Sequence, residues 1–266
     1  MKRIRSADAE IAYDVLGNGP PVILLHPFPT NHEMWLPAIQ PLISRFRLVL
    51  PDLRGHGDSE LGEGPALMEK HAADIARIMD DAEIRRAPLV GNSIGGYAIF
   101  EFWRRFRERV SGLVLCNTKL QADTPEERNT RLQSAATVLE AGTEPFFASQ
   151  LTRLLGKTTQ FSRPDLVEGA LRMMQKMSAE NVAMVQRGMA ARPDSLATSK
   201  TIDVPTLIIT GTEDALTGAP QAEVMHQNIA GSELKTVNKA GHYSPWEQPE
   251  EIGRLLRQFL DARASQ

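Results

Sequence analysis

The chain has 266 residues, of which 42% are hydrophobic and 24% charged, with a formal net charge of −3. The length lies in the range where a single α/β domain with an inserted subdomain is common, and the composition is that of an ordinary soluble globular protein, which argues against a disordered or fibrous class. The near-neutral charge favours no nucleic-acid partner, the single Cys116 excludes an internal disulfide, and no apolar run reaches the ~18 residues of a membrane span. Because charged residues begin the chain without a signal-peptide apolar segment, we expect a cytoplasmic protein that is not bound to a membrane.

Short β-rich runs alternate with longer helical patterns along much of the chain, which is the rhythm of a parallel sheet. The predicted strands lie at residues 21–26, 47–51, 87–91, 111–116, 204–210 and 234–237. The helices predicted between and after them lie at residues 36–45, 68–82, from the turn at residue 93 through 107, and 248–263. Because the strand runs are continuously apolar, we expect helices on both faces of the sheet.

The rhythm breaks between about residues 118 and 199, where apolar and charged residues recur at helical spacing without a convincing strand. Proline and glycine mark several boundaries of the helices predicted here, at residues 125–142, 144–155, 164–176 and 179–192. The predicted organisation is a core of residues 1–118 and 201–266 with an inserted helical cap of residues 119–200. Five cap methionines are candidates for the wall of a substrate pocket, although ordinary core packing explains such residues more often: Met173, Met174, Met177, Met184 and Met189.

The most informative pattern is Gly91-Asn92-Ser93-Ile94-Gly95-Gly96, which lies where an apolar strand run ends and a helical run begins. A G-x-S-x-G pattern in that context is typical of a nucleophile elbow, a strained strand-to-helix turn that exposes a serine hydroxyl. Glycines two residues to either side leave room for such a turn because they carry no Cβ. A lone serine between glycines is more often a turn residue, but this context makes Ser93 the candidate nucleophile of an acyl-transfer enzyme.

A serine hydroxyl is a poor nucleophile near neutral pH, so Ser93 requires a base within hydrogen-bonding reach and an acid that orients this base. Asp214 lies in the loop after a predicted central strand, where ligands bind in open α/β sheets, and Glu213 is its near rival. His242 lies in the loop before the last predicted helix and is the candidate base. Two further histidines lie in helical patterns and are expected to be exposed: His71 and His226.

Four motifs in this order resemble the α/β-hydrolase family over nearly the whole chain outside the cap. They are Arg54-Gly55-His56-Gly57-Asp58-Ser59, the Ser93 elbow, Gly211-Thr212-Glu213-Asp214 and Ala240-Gly241-His242-Tyr243. The resemblance implies an α/β-hydrolase fold, with a mostly parallel central sheet and helices on both faces. It also implies the chain order nucleophile, acid, base, and it favours Asp214 over Glu213 because the acid holds the fourth position of G-x-x-D.

The oxyanion of a tetrahedral intermediate requires backbone N–H donors, and the residue after the nucleophile, Ile94, is expected to supply one. The resemblance places the other donor in the loop His26-Pro27-Phe28-Pro29-Thr30-Asn31, where the family usually has His-Gly. Because proline has no amide hydrogen, Phe28 is the only backbone donor of the Pro-Phe-Pro stretch and the second expected donor. His26 and Asn31 are candidates to orient this loop through hydrogen bonds.

The predicted partner is a small-molecule ester or lactone, which Ser93 attacks after His242 has taken the serine proton; water then releases the acyl group. This reaction requires no cofactor. No metal is expected either, because His26, His32 and Glu33 lack tetrahedral ligand spacing and a further cluster of ligands.

Within the family, the chain is similar to the small capped group around 3-oxoadipate enol-lactonases and related carboxylesterases. The stretches that carry this similarity are Met-Ser-Ala-Glu at 177–180, Ala-Ala-Arg-Pro-Asp at 190–194 and Ile-Asp-Val-Pro-Thr-Leu at 202–207. A serine nucleophile argues against haloalkane dehalogenase and epoxide hydrolase relatives, which use an aspartate. Four cap arginines are candidates for a carboxylate clamp, although surface arginines are commoner: Arg153, Arg172, Arg187 and Arg192.

Three other functions stay open at this point. The same elbow pattern occurs in hydrolases that cleave a carbon–carbon bond of ring-cleavage products, and cofactor-free perhydrolase activity is a further enzymatic alternative. A ligand-binding protein on the same fold is the non-enzymatic alternative, although such proteins usually lose part of the triad. The physiological substrate, its chain length and the oligomeric state are open as well.

Overall fold

A mostly parallel sheet forms the centre of the protein. The computed structural model describes residues 1–264, in which the strands are β1 (Lys2–Ser6), β2 (Ala9–Leu16), β3 (Pro21–Leu25), β4 (Arg47–Pro51), β5 (Ala87–Asn92), β6 (Val110–Cys116), β7 (Thr206–Gly211) and β8 (Glu233–Val237). Their order across the sheet is β1-β2-β4-β3-β5-β6-β7-β8. Pairing is antiparallel where β2 meets β1 and β4, and parallel from β4 to β8. The predicted parallel sheet is therefore present.

Helices pack on both faces of this sheet. Over residues 1–264 the α-helices, including those away from the sheet, are α1 (Met68–Asp81), α2 (Ile94–Phe106), α3 (Pro125–Ala141), α4 (Thr143–Leu154), α5 (Lys157–Ser162), α6 (Pro164–Met174), α7 (Ala179–Ala190), α8 (Leu196–Ser199), α9 (Ala219–Asn228), α10 (Ser244–Glu247) and α11 (Pro249–Ala264). Alternate residues of β3 enter two different apolar cores: Ile23 and Leu25 pack with α1 and α2, whereas Val22 and Leu24 pack with α11. Within residues 1–264, none of these helices combines the length and apolar character needed to cross a bilayer.

Between β6 and β7 the chain leaves the sheet and forms α3 to α8; we call residues 119–200 the helical insert. The four helices predicted there are present, with ends that differ from the prediction by at most two residues, and the short α5 and α8 are additional. Thr124 begins α3 with reciprocal bonds: its hydroxyl accepts from the Glu127 N–H at 3.2 Å, and its N–H donates to Glu127 Oε2 at 2.9 Å. The last two residues of the predicted core segment 201–266 lie outside the described residues.

The helix predicted over residues 36–45 is wrong. A short 3-10 helix spans His32–Trp35, and turns follow up to residue 45. Pro41 has no N–H and its ring clashes with the carbonyl of the residue four positions earlier, so a regular helix over residues 36–45 would lose a hydrogen bond in its interior. The apolar residues of the segment still face the core, since Leu42 is fully buried in the cluster that contains α11. The apolar spacing therefore predicts the buried positions correctly, but it does not predict the backbone conformation, which the proline sequence keeps from being a regular helix.

Candidate active site

Ser93 occupies the turn between the end of β5 and the start of α2. Its φ of 55° lies in the left-handed region, which residues with a side chain rarely adopt. A Cβ added to Gly91 would lie 2.6 Å from the Gly95 carbonyl carbon, and one added to Gly95 would lie 2.5 Å from the Leu25 carbonyl oxygen. Only glycine fits at both positions, so strand, serine and helix pack as closely as a nucleophile elbow requires.

The loops after β7 and β8 bring an acid and an imidazole together. Because β5, β7 and β8 are parallel, their carboxyl ends lie at the same edge of the sheet. His242 Nδ1 lies 3.1 Å from both carboxylate oxygens of Asp214, and the His242 side chain is buried. An ionised carboxylate only accepts hydrogen bonds, so Nδ1 carries the imidazole proton and Nε2 is left as the basic nitrogen.

Asp214 is held by a set of donors besides His242. Its Oδ1 accepts from the N–H groups of Leu216 at 2.9 Å and Thr217 at 3.1 Å. Its Oδ2 accepts from the Thr217 hydroxyl and from Asn117 Nδ2, both at 2.9 Å. Burial by itself raises the pKa of Asp214, but the charge of His242 and these hydrogen bonds hold that pKa well below its usual range. Asp214 is therefore an anion that orients the imidazole.

Glu213, the rival acid, turns to the helical insert instead. Its carboxylate accepts from the Thr158 N–H at 2.8 Å and from the Thr158 hydroxyl at 2.5 Å. Among residues 1–264, its carboxylate has no hydrogen bond with His242. The two neighbouring carboxylates therefore have different partners: Asp214 contacts the imidazole of His242, and Glu213 binds the helical insert.

A cavity of about 330 Å³ joins the candidate catalytic residues to the insert. Ser93, His242 and Phe28 line it from the core, and residues of α3, α4 and α7 line it from the insert. In the described part of the chain, the Ser93 hydroxyl makes no hydrogen bond with another side chain. Catalytic hydrogen bonds of this kind often tighten only in the complex with substrate. The structure brings serine and imidazole to one cavity wall, where such a bond can form.

The loop after β3 fixes the peptide group that carries the Phe28 N–H. The Pro27 carbonyl oxygen accepts from the Thr30 N–H at 3.1 Å, the Thr30 hydroxyl at 2.8 Å and His26 Nδ1 at 2.9 Å. His26 Nε2 accepts from the Leu53 N–H at 2.8 Å, which places the ring proton on Nδ1. Because the C=O and N–H of a trans peptide group point in opposite directions, these bonds set the direction of the Phe28 N–H.

The Ile94 N–H belongs to the peptide group that also contains the Ser93 carbonyl. The Thr118 hydroxyl donates to this carbonyl at 2.9 Å, as does the Gly96 N–H at 2.9 Å. Ile94 is the first residue of α2, so its own N–H has no acceptor within the helix. The peptide groups that carry the Phe28 and Ile94 N–H donors are therefore both held by hydrogen bonds, and Phe28 lines the cavity together with Ser93.

A comparison of the sequence with models of known families identifies the family of this chain. A family model described as the alpha/beta hydrolase fold matches residues 20–249. The chain belongs to this family. The α/β-hydrolase fold expected from the sequence motifs is thereby confirmed.

Three relatives of this alpha/beta hydrolase span nearly its whole length. An esterase from Thermogutta terrifontis, solved with malate bound, superposes with a TM-score of 0.95 and 33% identity, covering 98% of this chain and 99% of that chain. The 3-oxoadipate enol-lactonase 1 of Acinetobacter baylyi is 28% identical over 243 residues, which are 91% of this chain and 89% of the relative. A putative 2-succinyl-6-hydroxy-2,4-cyclohexadiene-1-carboxylate synthase of Bacillus subtilis is 30% identical over 264 residues, 94% of this chain and 95% of the relative. The expected similarity to enol-lactonases and esterases is confirmed.

Few of the residues proposed to line a pocket do so in this alpha/beta hydrolase. Arg153 and Met189 line the cavity. Arg192 is buried elsewhere, with its guanidinium 2.8 Å from Asp123 and 4.3 Å from the centre of the Tyr97 ring. In the described chain, the other candidates also lie outside the cavity wall: Arg172, Arg187, Met173, Met174, Met177 and Met184. Arg153 is therefore the one predicted arginine that remains a candidate for binding substrate.

The expectation that His71 and His226 are exposed is wrong. His71 is fully buried, because it lies on the same face of α1 as Met68 and Ile75, which pack into the core. Burial lowers the pKa of His71 to about 3. His226 is half-buried, with Nδ1 2.9 Å from the Ser232 hydroxyl.

Three residues that contact the site were not identified from the sequence: Asn117, Thr118 and Thr217. For Asn117 and Thr118 the available signal is positional, since both directly follow β6, which lies between β5 and β7 in the sheet; Thr217 lies three residues after Asp214 in the loop that follows β7. Asn31, a candidate to orient the Phe28 loop, instead accepts from the Glu33 N–H at 3.0 Å and begins the 3-10 helix. Across residues 1–264, no group of three or more histidine, cysteine or acidic side chains is arranged to hold a metal ion.

Proposed function

We propose that this alpha/beta hydrolase cleaves a carboxylic ester or lactone through an acyl-enzyme on Ser93. The observation that carries the proposal is the His242–Asp214 pair, with Nδ1 at 3.1 Å from both carboxylate oxygens, on the wall of the cavity that Ser93 also lines. A serine on a strained elbow beside such a pair has the arrangement of a serine hydrolase.

In the proposed reaction, His242 Nε2 takes the Ser93 proton while the serine oxygen attacks the carbonyl carbon. Asp214 stabilises the imidazolium that forms, and the N–H groups of Phe28 and Ile94 donate to the developing oxyanion. The imidazolium then protonates the leaving alcohol. A water molecule, deprotonated by His242, hydrolyses the acyl-enzyme and frees Ser93, so the cycle requires no cofactor.

The relatives support this class of reaction. The structural neighbour with 33% identity is an esterase, and a relative with 28% identity over most of both chains is an enol-lactonase. Both names describe cleavage of a bond between an acyl carbon and oxygen. That chemistry requires the same nucleophile, base and oxyanion donors that the cavity of this protein offers.

The cavity accommodates a small substrate, and one cation on its wall is available to bind an anionic group of that substrate. Its volume of about 330 Å³ suits a compact ester or lactone. Of the cations on its wall, Lys119 lies 3.0 Å from Glu127, and Arg131 lies 2.6 Å from Asp123. Within residues 1–264, the Arg153 side chain has no ion pair or hydrogen bond, and it is exposed. Arg153 is therefore free to pair with an anionic group of the substrate.

The test is the hydrolysis of p-nitrophenyl acetate by the wild-type protein, Ser93→Ala and the control Ser149→Ala. Ser149 is exposed and bonds only within α4, so its replacement should leave the rate unchanged. We expect Ser93→Ala to lose about 10³-fold or more of kcat. Unchanged turnover in Ser93→Ala would overturn the proposal, and so would faster hydrolysis of a dienoate ring-cleavage product than of any ester or enol-lactone tested alongside it.

A further inference from the structure

The carboxylate of Glu247 is buried behind the proposed base and accepts four hydrogen bonds. Its Oε2 accepts from the Gly156 N–H at 2.8 Å and from the Thr159 hydroxyl at 2.6 Å. Its Oε1 accepts from the Gly241 N–H at 3.0 Å and from the Tyr243 N–H at 3.2 Å. Glu247 is only 3% exposed, so these donors take the place of water around the carboxylate.

The four donors belong to two different parts of the chain. One pair lies at the junction of α4 and α5 in the helical insert, and the other pair flanks His242. The His242 N–H itself donates to the carbonyl of Leu154, which is the last residue of α4, at 2.9 Å. A Cβ added to Gly241 would lie 2.1 Å from the Gly156 nitrogen, so the two segments meet backbone to backbone. The insert is thus bonded directly to the loop of the proposed base.

The reaction itself does not account for Glu247. In the described chain its carboxylate has no ion pair, and it is not among the residues that line the cavity. Both oxygens are occupied by donors, so the group is not placed to take a proton from substrate. A buried carboxylate with four donors and no chemical task is a structural tie between the two segments it joins.

We propose that Glu247 is a positioning residue that holds His242 and the insert segment 154–159 as one unit, so that docking of the insert sets the position of the base. This inference rests on the proposed function, because it assigns Glu247 a role in aligning the base of that reaction. Glu247 acts through the backbone on either side of His242 and does not touch the reacting atoms.

The hydrogen bonds of Glu247 should affect catalysis because the insert segment that they hold also lines the cavity. Leu154 and Arg153 line the cavity from the insert, and His242 lines it from the core. A substrate that contacts α4 therefore contacts the element to which the His242 backbone is bonded. Because a displacement of about 1 Å between reacting groups can cost about 100-fold in rate, loss of the tie should lower kcat more than it raises KM.

Two variants remove hydrogen bonds of the Glu247 carboxylate, one by changing the acceptor and the other by changing a donor. Glu247→Gln leaves one oxygen where two are needed, so the donors on one side of the residue lose their acceptor. Thr159→Val removes a donor of the insert and changes no atom of the loop that holds His242. We expect kcat to fall about 30-fold or more in Glu247→Gln and about 5-fold in Thr159→Val, with KM changed less than about 3-fold. Thr159→Val keeps the test informative even where Glu247→Gln does not fold.

Glu213→Gln is the matched control. The Glu213 carboxylate bonds the neighbouring Thr158 of the same insert segment, but its side chain has no bond to residues 241–243. This variant therefore loosens a contact of the insert while all four bonds of Glu247 stay in place. We expect it to keep kcat within about 3-fold of the wild-type value.

The experiment measures kcat and KM for p-nitrophenyl acetate, the pH dependence of inactivation by a fluorophosphonate, and the downfield ¹H NMR signal of the His242 Nδ1 proton. Under the proposal, Glu247→Gln and Thr159→Val inactivate more slowly with a shifted pH midpoint, and their Nδ1 signal broadens or moves. A merely structural role predicts lower thermal stability with the wild-type midpoint and signal, and that result would overturn the proposal. Equal kcat losses in Glu213→Gln and Glu247→Gln would overturn it as well.

The fluorophosphonate experiment distinguishes failure of the proposed function from failure of the positioning role. If the wild-type protein does not react with the fluorophosphonate, or if Ser93→Ala reacts equally well, the serine mechanism itself is wrong. If the wild-type protein reacts at Ser93 but Glu247→Gln and Thr159→Val match its rate and midpoint, only the positioning role is wrong.

Discussion

Glu213 and Asp214 are neighbours in the chain, but their carboxylates bind opposite parts of the molecule. Asp214 meets His242 Nδ1 at 3.1 Å, whereas Glu213 accepts from both the N–H and the hydroxyl of Thr158 in the helical insert. One loop after β7 therefore orients the proposed base with one carboxylate and binds the insert with the other.

The first prediction separates these two carboxylates. Asp214→Asn should lower kcat for p-nitrophenyl butyrate by about 10⁴-fold, because an amide no longer enforces the imidazole tautomer with the proton on Nδ1. Glu213→Gln should change kcat by less than about 3-fold, since it loses only its contact with Thr158. A larger loss of kcat in Glu213→Gln than in Asp214→Asn would reverse the assignment of the acid.

The second prediction concerns the peptide group that carries the Ile94 N–H. Thr118→Val removes the hydroxyl that donates to the Ser93 carbonyl. The peptide group is then held less firmly, so the Ile94 N–H should stabilise the oxyanion less well. We expect kcat to fall about 10-fold with KM nearly unchanged. Thr206→Val is the matched control, because Thr206 is also buried and its hydroxyl donates to a backbone carbonyl, that of Val204, away from the site. A rise of KM at constant kcat in Thr118→Val would contradict this role.

The third prediction concerns the charge of the substrate. Arg153→Gln should lower kcat/KM for mono-p-nitrophenyl succinate about 10-fold, because the free carboxylate of that substrate loses its cation. The value for uncharged p-nitrophenyl butyrate should stay within about 2-fold. Arg172→Gln is the control, since Arg172 is exposed on α6 and lies outside the cavity wall. Equal effects of Arg153→Gln on both substrates would show that this arginine does not recognise charge.

The fourth prediction is a pH dependence of stability that arises from His26. Burial lowers the pKa of His26 from 6.5 to about 4, although the charge of Asp52 and the bond to Pro27 oppose this shift. The unfolded chain therefore binds a proton that the native chain excludes, so the stability present above about pH 6.5 is lost as the pH falls toward 4. Urea unfolding at about pH 7.5 and 5 should show a loss of about 2 kcal/mol from His26 alone. His26→Asn does not titrate in this range and should lose correspondingly less; an equal loss in both proteins would contradict the account.

The sequence was sufficient to predict the parts of the site that depend on local pattern. The glycines around Ser93 report a backbone constraint that the structure contains, with a φ of 55° at Ser93. The positions of Asp214 and His242 follow from strand ends, and parallel strands place their carboxyl ends together. These inferences need no knowledge of side-chain contacts.

The remaining features depend on packing between distant segments, which periodicity does not report. The sequence predicts that His71 lies in a helix, but it does not predict that His71 is buried, because the buried face of α1 depends on where α2 packs. Thr118 and Glu247 act through backbone atoms of other residues, so neither forms a recognisable motif with its partners. The helix predicted over residues 36–45 does not form because apolar spacing indicates only which residues are buried, whereas Pro41 interrupts the hydrogen bonds of a regular helix there.

Mass spectrometry of the quenched reaction shows whether the reaction passes through an ester of Ser93. The protein is mixed with p-nitrophenyl acetate, quenched in acid within the first turnover, digested and analysed by peptide. We expect one acetyl group on the peptide that contains Ser93, with none in Ser93→Ala and a slower appearance in Asp214→Asn. Full hydrolytic activity in the wild-type protein with no acetylated peptide, or with the acetyl group on another residue, would rule out the acyl-enzyme on Ser93.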